Sequence, residues 1–185
     1  NSPKGFTLGD KQYPSDIFMK WSVEEKEAIG IHEVIFDDSN KKDEAWYINT
    51  NQSYAFANDT VTATYGIATP KAHADTNATE ADGVELDPVV VIPGLKTKLI
   101  KNLKITVANE LAKTDWYITR NTEKTTAIPS AITTHRDSVR TTQASIEAQI
   151  TGASDTAALE TLHTYTTDAN GVQSRPLGTL PTLEI

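Results

Sequence analysis

The chain has 185 residues and a formal charge of −8, from 17 Lys and Arg against 25 Asp and Glu. With 38% hydrophobic residues it has apolar material for one or two modest domains, though less than the roughly 45–50% typical of globular chains, which predicts a small core or one completed by partner subunits. The lack of cysteine excludes a disulfide framework and a thiolate metal site. A pI near 5.0 argues against a general nucleic-acid binder, and the longest apolar run, Val89 to Ile92, is far short of the ~20 residues of a membrane span. The opening residues Asn1 to Gly5 do not form a signal peptide.

In chain order, Ser15 to Trp21 can form a helical turn with Phe18 and Trp21 on one side. Ser22-Val23-Glu24-Glu25 has the form of a capping box, in which the Ser22 hydroxyl and the Glu25 carboxylate satisfy each other's backbone N–H groups. A short helix is predicted from Val23 to Ile29, stopped by Gly30, which can take the left-handed conformation. Ile31 to Phe36 reads as a strand and Asp37 to Asp43 as a polar turn. Short strands are predicted at 45–49, 53–56 and 60–67, with Tyr54 and Phe56 on one strand face seeding the core. Residues 69–87 lack periodicity and read as a loop or linker.

After Pro93-Gly94 the chain changes character. Apolar residues at Leu95, Leu99, Ile100, Leu103, Val107 and Leu111 draw one helical face, with Lys96, Lys98, Lys101 and Lys104 in its N-terminal half. Pro129-Ser130 opens a second helix in which Ile132, Val139, Ile146 and Ile150 form a near-heptad seam, with Arg136 and Gln143 filling the stripe. Gly152 stops it, and Ser154-Asp155 caps a shorter helix through Ala158, Leu159, Leu162 and Tyr165. Asp168 to Gly171 is a turn, and Arg175 to Ile185 is an apolar tail that its prolines keep from being helical.

The fold class expected is therefore α+β. A small β-rich domain with a short capped helix spans 1–68, a linker or loop and strand 69–93, a helical hairpin 94–170 and an extended tail 171–185. The halves also differ in charge. Through residue 93 there are 7 Lys and 16 acidic residues; from Gly94 onward 10 basic residues face 9 acidic ones. All four arginines (Arg120, Arg136, Arg140, Arg175) lie in the second half. Such an asymmetry can orient one subunit's acidic half toward another's basic half.

Chemical motifs are absent: there is no G-x-S-x-G, no phosphate-binding loop and no H-E-x-x-H. His32, His73, His135 and His163 have no zinc-ligand spacing. Asp37 to Glu44 lacks the glycine and the terminal glutamate of an EF-hand and reads as a hairpin turn. His135, Asp137 and Ser138 are too close on one helix to form a triad. The three formal N-glycosylation sequons, at Asn51, Asn58 and Asn77, are expected by chance in a chain with 27 Thr. No catalytic residue, metal or cofactor is predicted. Threonine favours extended segments and suits a particle component with long exposed surfaces.

The most informative stretch runs from Val91-Ile92-Pro93-Gly94 to Arg140. An amphipathic helix leads to Asp115-Trp116-Tyr117-Ile118-Thr119-Arg120, then to Ile128-Pro129, then to a helix with His135-Arg136 and Val139-Arg140. This order resembles a module of tailed-bacteriophage virion structural proteins, tail-fibre proteins and the tail-fibre assembly family, over about 50 residues; His135 stands where that pattern has Tyr. Trp21 to Phe36 is also similar to the N-terminal part of small phage tail proteins.

The resemblance implies a non-enzymatic, tail-associated virion component (fibre, adaptor or baseplate), made in the bacterial host cytoplasm. Its partners would be other tail or virion proteins, without nucleic acid or membrane. The alternatives are a tail-fibre assembly chaperone and a host-glycan-binding module using Trp46, Tyr47 and Tyr54 as platforms. The expected structural or interface residues are Asp115, Trp116, Arg120, Arg136, Val139, Arg140, Ile132, Ile146 and Ile150. Arg136 and Arg140 share a helix face, so one can clamp Asp115 bidentately while the other stacks on Trp116. The lean core and the apolar tail predict a homo-oligomer joined through the Ile132–Ile150 seam or the tail.

Overall fold

The computed structural model describes residues 4–50 and 52–183. Its elements are β1 (Phe6–Leu8), β2 (Lys11–Tyr13), α1 (Ile17–Lys20), α2 (Val23–Glu27), β3 (Val34–Asp37), β4 (Tyr47–Ile48), β5 (Ser53–Ala57), β6 (Thr60–Thr64), β7 (Thr69–Pro70), β8 (Thr76–Asn77) and β9 (Val91–Ile92). There follow α3 (Leu95–Ala112), α4 (Asp115–Lys124), α5 (Ser130–Gly152), α6 (Thr156–His163), β10 (Thr166–Thr167) and β11 (Gln173–Ser174). The fold is α+β, with small sheets toward the N-terminus and the long helices in the C-terminal half. The chain divides into two compact units: Asn1–Glu44 with Ile48–Thr69, and Ala45–Tyr47 with Pro70–Ile185.

In the first unit, β1 and β2 form an antiparallel hairpin with Phe6 opposite Tyr13, turned at Gly9 with φ +58°. Phe6 stacks on Tyr13 and touches Phe18, and Tyr13 meets Trp21 edge-on, so the hairpin and α1 share an aromatic cluster. Ile17 is buried beside this cluster, 2% exposed. The capping box forms as its spacing predicts: the Glu25 N–H donates to Ser22 Oγ (3.2 Å) and the Ser22 N–H to Glu25 Oε2 (2.9 Å). Gly30, at φ +81°, ends the turn, its N–H donating to Glu27 O and that of Ile31 to Lys26 O.

The three-stranded sheet has the order β3-β6-β5, with β3 parallel and β5 antiparallel to β6. Its register sets Phe36 and Tyr54 beside Ala63, and Val34 and Phe56 beside Val61. Cross-strand partners share a face, so Val34, Phe36, Tyr54, Phe56, Val61 and Ala63 form one apolar side. The expectation that Tyr54 and Phe56 seed a core is overturned. Phe36, Tyr54 and Phe56 are 64%, 63% and 59% exposed, and only Ala63, flanked by two large rings, is fully buried.

The second unit begins with the segment expected to be a linker, and it is not one. β8 and β9 pair antiparallel, Ala78 and Val90 share a backbone hydrogen bond, and a turn at Gly83 closes the arm. The helical hairpin is extended by a helix: residues 115–124 form α4 between α3 and α5. α5 buries Ile132, Val139, Ile146 and Ile150 along one stripe as predicted, and α3 and α6 cover it. Asp155 caps α6, accepting from the Ala158 N–H at 2.8 Å. The turn at Asp168 accepts two N–H groups, from Asn170 and Val172.

Two further expectations change here. The seam is filled within the unit. The described part of the tail also lies on its own helices: the Leu177 N–H donates to Leu162 O (3.1 Å), and Leu177 is 5% exposed. Leu177 and Leu180 close a cavity of about 290 Å³ against Leu99, Leu103, Ile146 and Ile150. Seam and tail are thus occupied in cis, because the apolar stripe of α3 fits them. Residues 45–47 also join this unit. Trp46 and Tyr47 are buried against α6, where Trp46 packs on His163 and the Tyr47 hydroxyl donates to Glu160 Oε2 (2.9 Å). They cannot serve as glycan platforms, which need open ring faces.

Candidate functional site at the junction of three helices

Asp115 and Arg136 meet, as their placement on successive helices predicts. The end of α3 leaves carbonyls without intrahelical partners, and Arg136, eight per cent exposed on α5, is aimed at them. Its Nη1 donates to Leu111 O (2.8 Å), Thr114 Oγ1 (2.7 Å) and Asp115 Oδ1 (2.8 Å). One nitrogen therefore ties the last turn of α3 to the first turn of α4. The contact to Asp115 is through one oxygen, correcting the bidentate expectation, and the Asp115 side chain remains mostly exposed. Most of the clamp's value thus lies in the buried contacts to Leu111 and Thr114, since an exposed ion pair contributes little. A cation at a helix C-terminus is also favoured by the helix dipole.

Thr114 is fully buried, and its hydroxyl donates to Leu111 O at 3.0 Å. Beside it Glu110 pairs with Lys113 and approaches His135 Nε2 to 3.3 Å. The two atoms are not aligned as a hydrogen bond, and both are buried without a hydrogen-bond partner among the described residues. The Lys113 ammonium holds the Glu110 carboxyl below its ordinary value against the opposing effect of burial; His135 and the Leu183 N–H of the tail act in the same direction as Lys113.

The stacking partner of Trp116 is Arg120, not an arginine of α5. Its guanidinium lies 4.6 Å from the Trp116 ring and 5.5 Å from that of Tyr117. Once 115–124 is helical, positions 116 and 120 are one turn apart, and that spacing was the available signal. Arg140 points away, to Asp137 at 3.3 Å on the exposed side of α5. Val139 is fully buried, and Ile132, Ile146 and Ile150 lie in the core. The structure thus gathers Asp115, Arg136, Trp116 and Arg120 around the start of α4 and leaves Arg140 out. Glu110, Lys113, Thr114 and His135 belong to the same junction and carried no sequence motif.

A second polar junction holds the other end of α3. Asp75 Oδ1 accepts the Gly94 N–H (2.8 Å), Ala72 O that of Leu95 (2.9 Å) and His73 O that of Lys96 (3.0 Å). The Gly94 N–H, followed by Thr97, keeps the Asp75 carboxyl below the usual carboxylate range. Both junctions hold helix ends, and neither offers a nucleophile beside a base. Among the described residues no three His, Asp or Glu side chains are placed to hold a metal ion, and no helix is long and apolar enough to cross a membrane. Compared with known protein families, curated proteins and solved structures, the chain matches none.

Proposed function

We propose that this chain is a non-enzymatic structural component of a tailed-phage particle, tail-associated, that works by docking to neighbouring subunits. The observation that carries the docking part is the open aromatic side of the β3-β6-β5 sheet, where Phe36, Tyr54 and Phe56 are each more than half exposed. Contiguous apolar surface left in water marks an interaction site more often than an incidental feature. The phage assignment rests on the resemblance of Val91 to Arg140, where the Arg136 clamp gives the Asp-Trp step and the following arginine a common structural purpose. On this reading the helical unit is a scaffold and the sheet is a contact surface.

Quantitative mass spectrometry of purified particles tests it. A copy number at a small multiple of 3 or 6 relative to the tail and portal proteins is expected. Absence from intact particles, with the protein abundant in the lysate, would overturn the virion assignment and point to an assembly chaperone.

A further inference from the structure

α3 is apolar on two sides. Leu99, Leu103 and Val107 face the interior of the helical unit, while Ile100, Ile105 and Ala108 line a shallow groove on its outer face with Thr97, Lys101 and Lys104. Ile105 is 51% exposed. The sequence pattern assigns Ile100 to the buried stripe, but it opens instead onto this groove. Between Leu95 and Asn109 the helix carries four lysines and no carboxylate. Lys96 is held by Thr151 O, whereas Lys101 and Lys104 form no ion pair among the described residues. The groove is therefore apolar at its floor and positive at its edge.

The aromatic side of the β3-β6-β5 sheet is an open apolar surface carried by an acidic unit. The unit bearing Phe36, Tyr54 and Phe56 holds 11 carboxylates against 6 lysines and no arginine. Paired with a copy of itself the lysine-edged groove is repelled, and paired with a surface of the acidic unit it is attracted. We propose that the outer face of α3, centred on Ile105 between Lys101 and Lys104, docks the aromatic sheet face of a second copy of this chain. The interface is heterologous: each copy offers one surface of each kind, so association continues head to tail and closes into a ring or extends as a filament. Apolar contact supplies the attraction, and the charges select the pairing and suppress helix-to-helix contacts.

This proposal rests on the docking reading and names its partner. The test is sedimentation velocity of the full-length protein across a concentration series at low and high salt, with Ile105→Glu and Phe56→Asp variants. Both substitutions are at exposed positions, and unchanged far-ultraviolet circular dichroism checks that both variants fold. The parent is expected to form species larger than a dimer, with association weakening at least tenfold between 50 mM and 500 mM salt, since charges separated across solvent are screened. Each variant alone is expected to be monomeric. An equimolar mixture should form a heterodimer and stop there, because one intact α3 face and one intact sheet face remain. A parent that stays monomeric overturns the proposal, as does association that survives either variant. Failure of the mixture to re-associate would exclude a head-to-tail arrangement. A protein found in particles by mass spectrometry yet monomeric here fails this proposal while leaving the virion assignment standing.

Discussion

Replacing Gly94 by alanine tests whether the arm at 72–92 is an integral part of the helical unit. Gly94 has φ −75°, which any residue can adopt, so the demand for glycine here is one of space. A Cβ at this position would lie 2.3 Å from Ala74 O, 2.4 Å from Ala74 C and 2.9 Å from His73 O, all backbone atoms. Relieving such overlap requires the backbones to separate by roughly 1 Å, since non-bonded carbon contacts settle at about 3.5 Å or more. That separation breaks the hydrogen bonds that the N–H groups of Gly94, Leu95 and Lys96 make to Asp75, Ala72 and His73. At about 0.5–1.5 kcal/mol each, with the helix end then open to water, the loss comes to about 2–4 kcal/mol. Urea unfolding followed at 222 nm, where the helices dominate, reads this directly, with a fall in midpoint and little change in slope. Gly152→Ala is the control: a Cβ there meets nothing within 4 Å, and helix propensity favours alanine by up to about 1 kcal/mol. Gly94→Ala unfolding within 0.5 kcal/mol of the parent would refute the close packing of the arm on α3.

Arg136→Ala should cost about 2–4 kcal/mol by leaving the α3–α4 junction unclamped, and Asp115→Ala less than about 1 kcal/mol because that carboxylate is mostly exposed; equal losses in urea unfolding would show that the ion pair, not the carbonyl contact, matters. Ser22→Ala should lower the stability of the first unit by about 1 kcal/mol, measured by Trp21 fluorescence. For Glu110, whose carboxyl lies below its ordinary value near 4.5, the sign is that of a depressed carboxylate. Its stabilisation is complete above the ordinary value and is lost as pH falls through the lower folded one. The difference in melting temperature between parent and Glu110→Gln should therefore shrink as pH falls from 7 through 4 to 3, and a difference constant over that range would contradict the pairing with Lys113. Val139→Ala, at a site with no exposure, should cost about 2 kcal/mol through the cavity it leaves, visible as a lowered thermal midpoint.

The sequence by itself determined what depends on neighbours a few positions apart. The Ser22–Glu25 box, the stop at Gly30, the cap at Asp155 and the turn at Asp168 all formed where side-chain spacing placed them, because each is a contact within one or two turns of chain, and the stripe from Ile132 to Ile150 was legible because helical periodicity puts those residues on one face. The meeting of Asp115 with Arg136 was also legible, since the chain between them is long enough to fold back and bring the two together. Tertiary structure decided which surfaces stay covered. Nothing local to Trp46 and Tyr47 shows that they leave the strands around them to pack on α6 about 113 residues later, or that Gly94 lies under the backbone of Ala74. Nor does the alternation in β5 reveal that no second layer covers Tyr54 and Phe56. Periodicity reports that a face is apolar; whether another part of the chain covers it depends on contacts between residues far apart in sequence, which only the folded chain brings together.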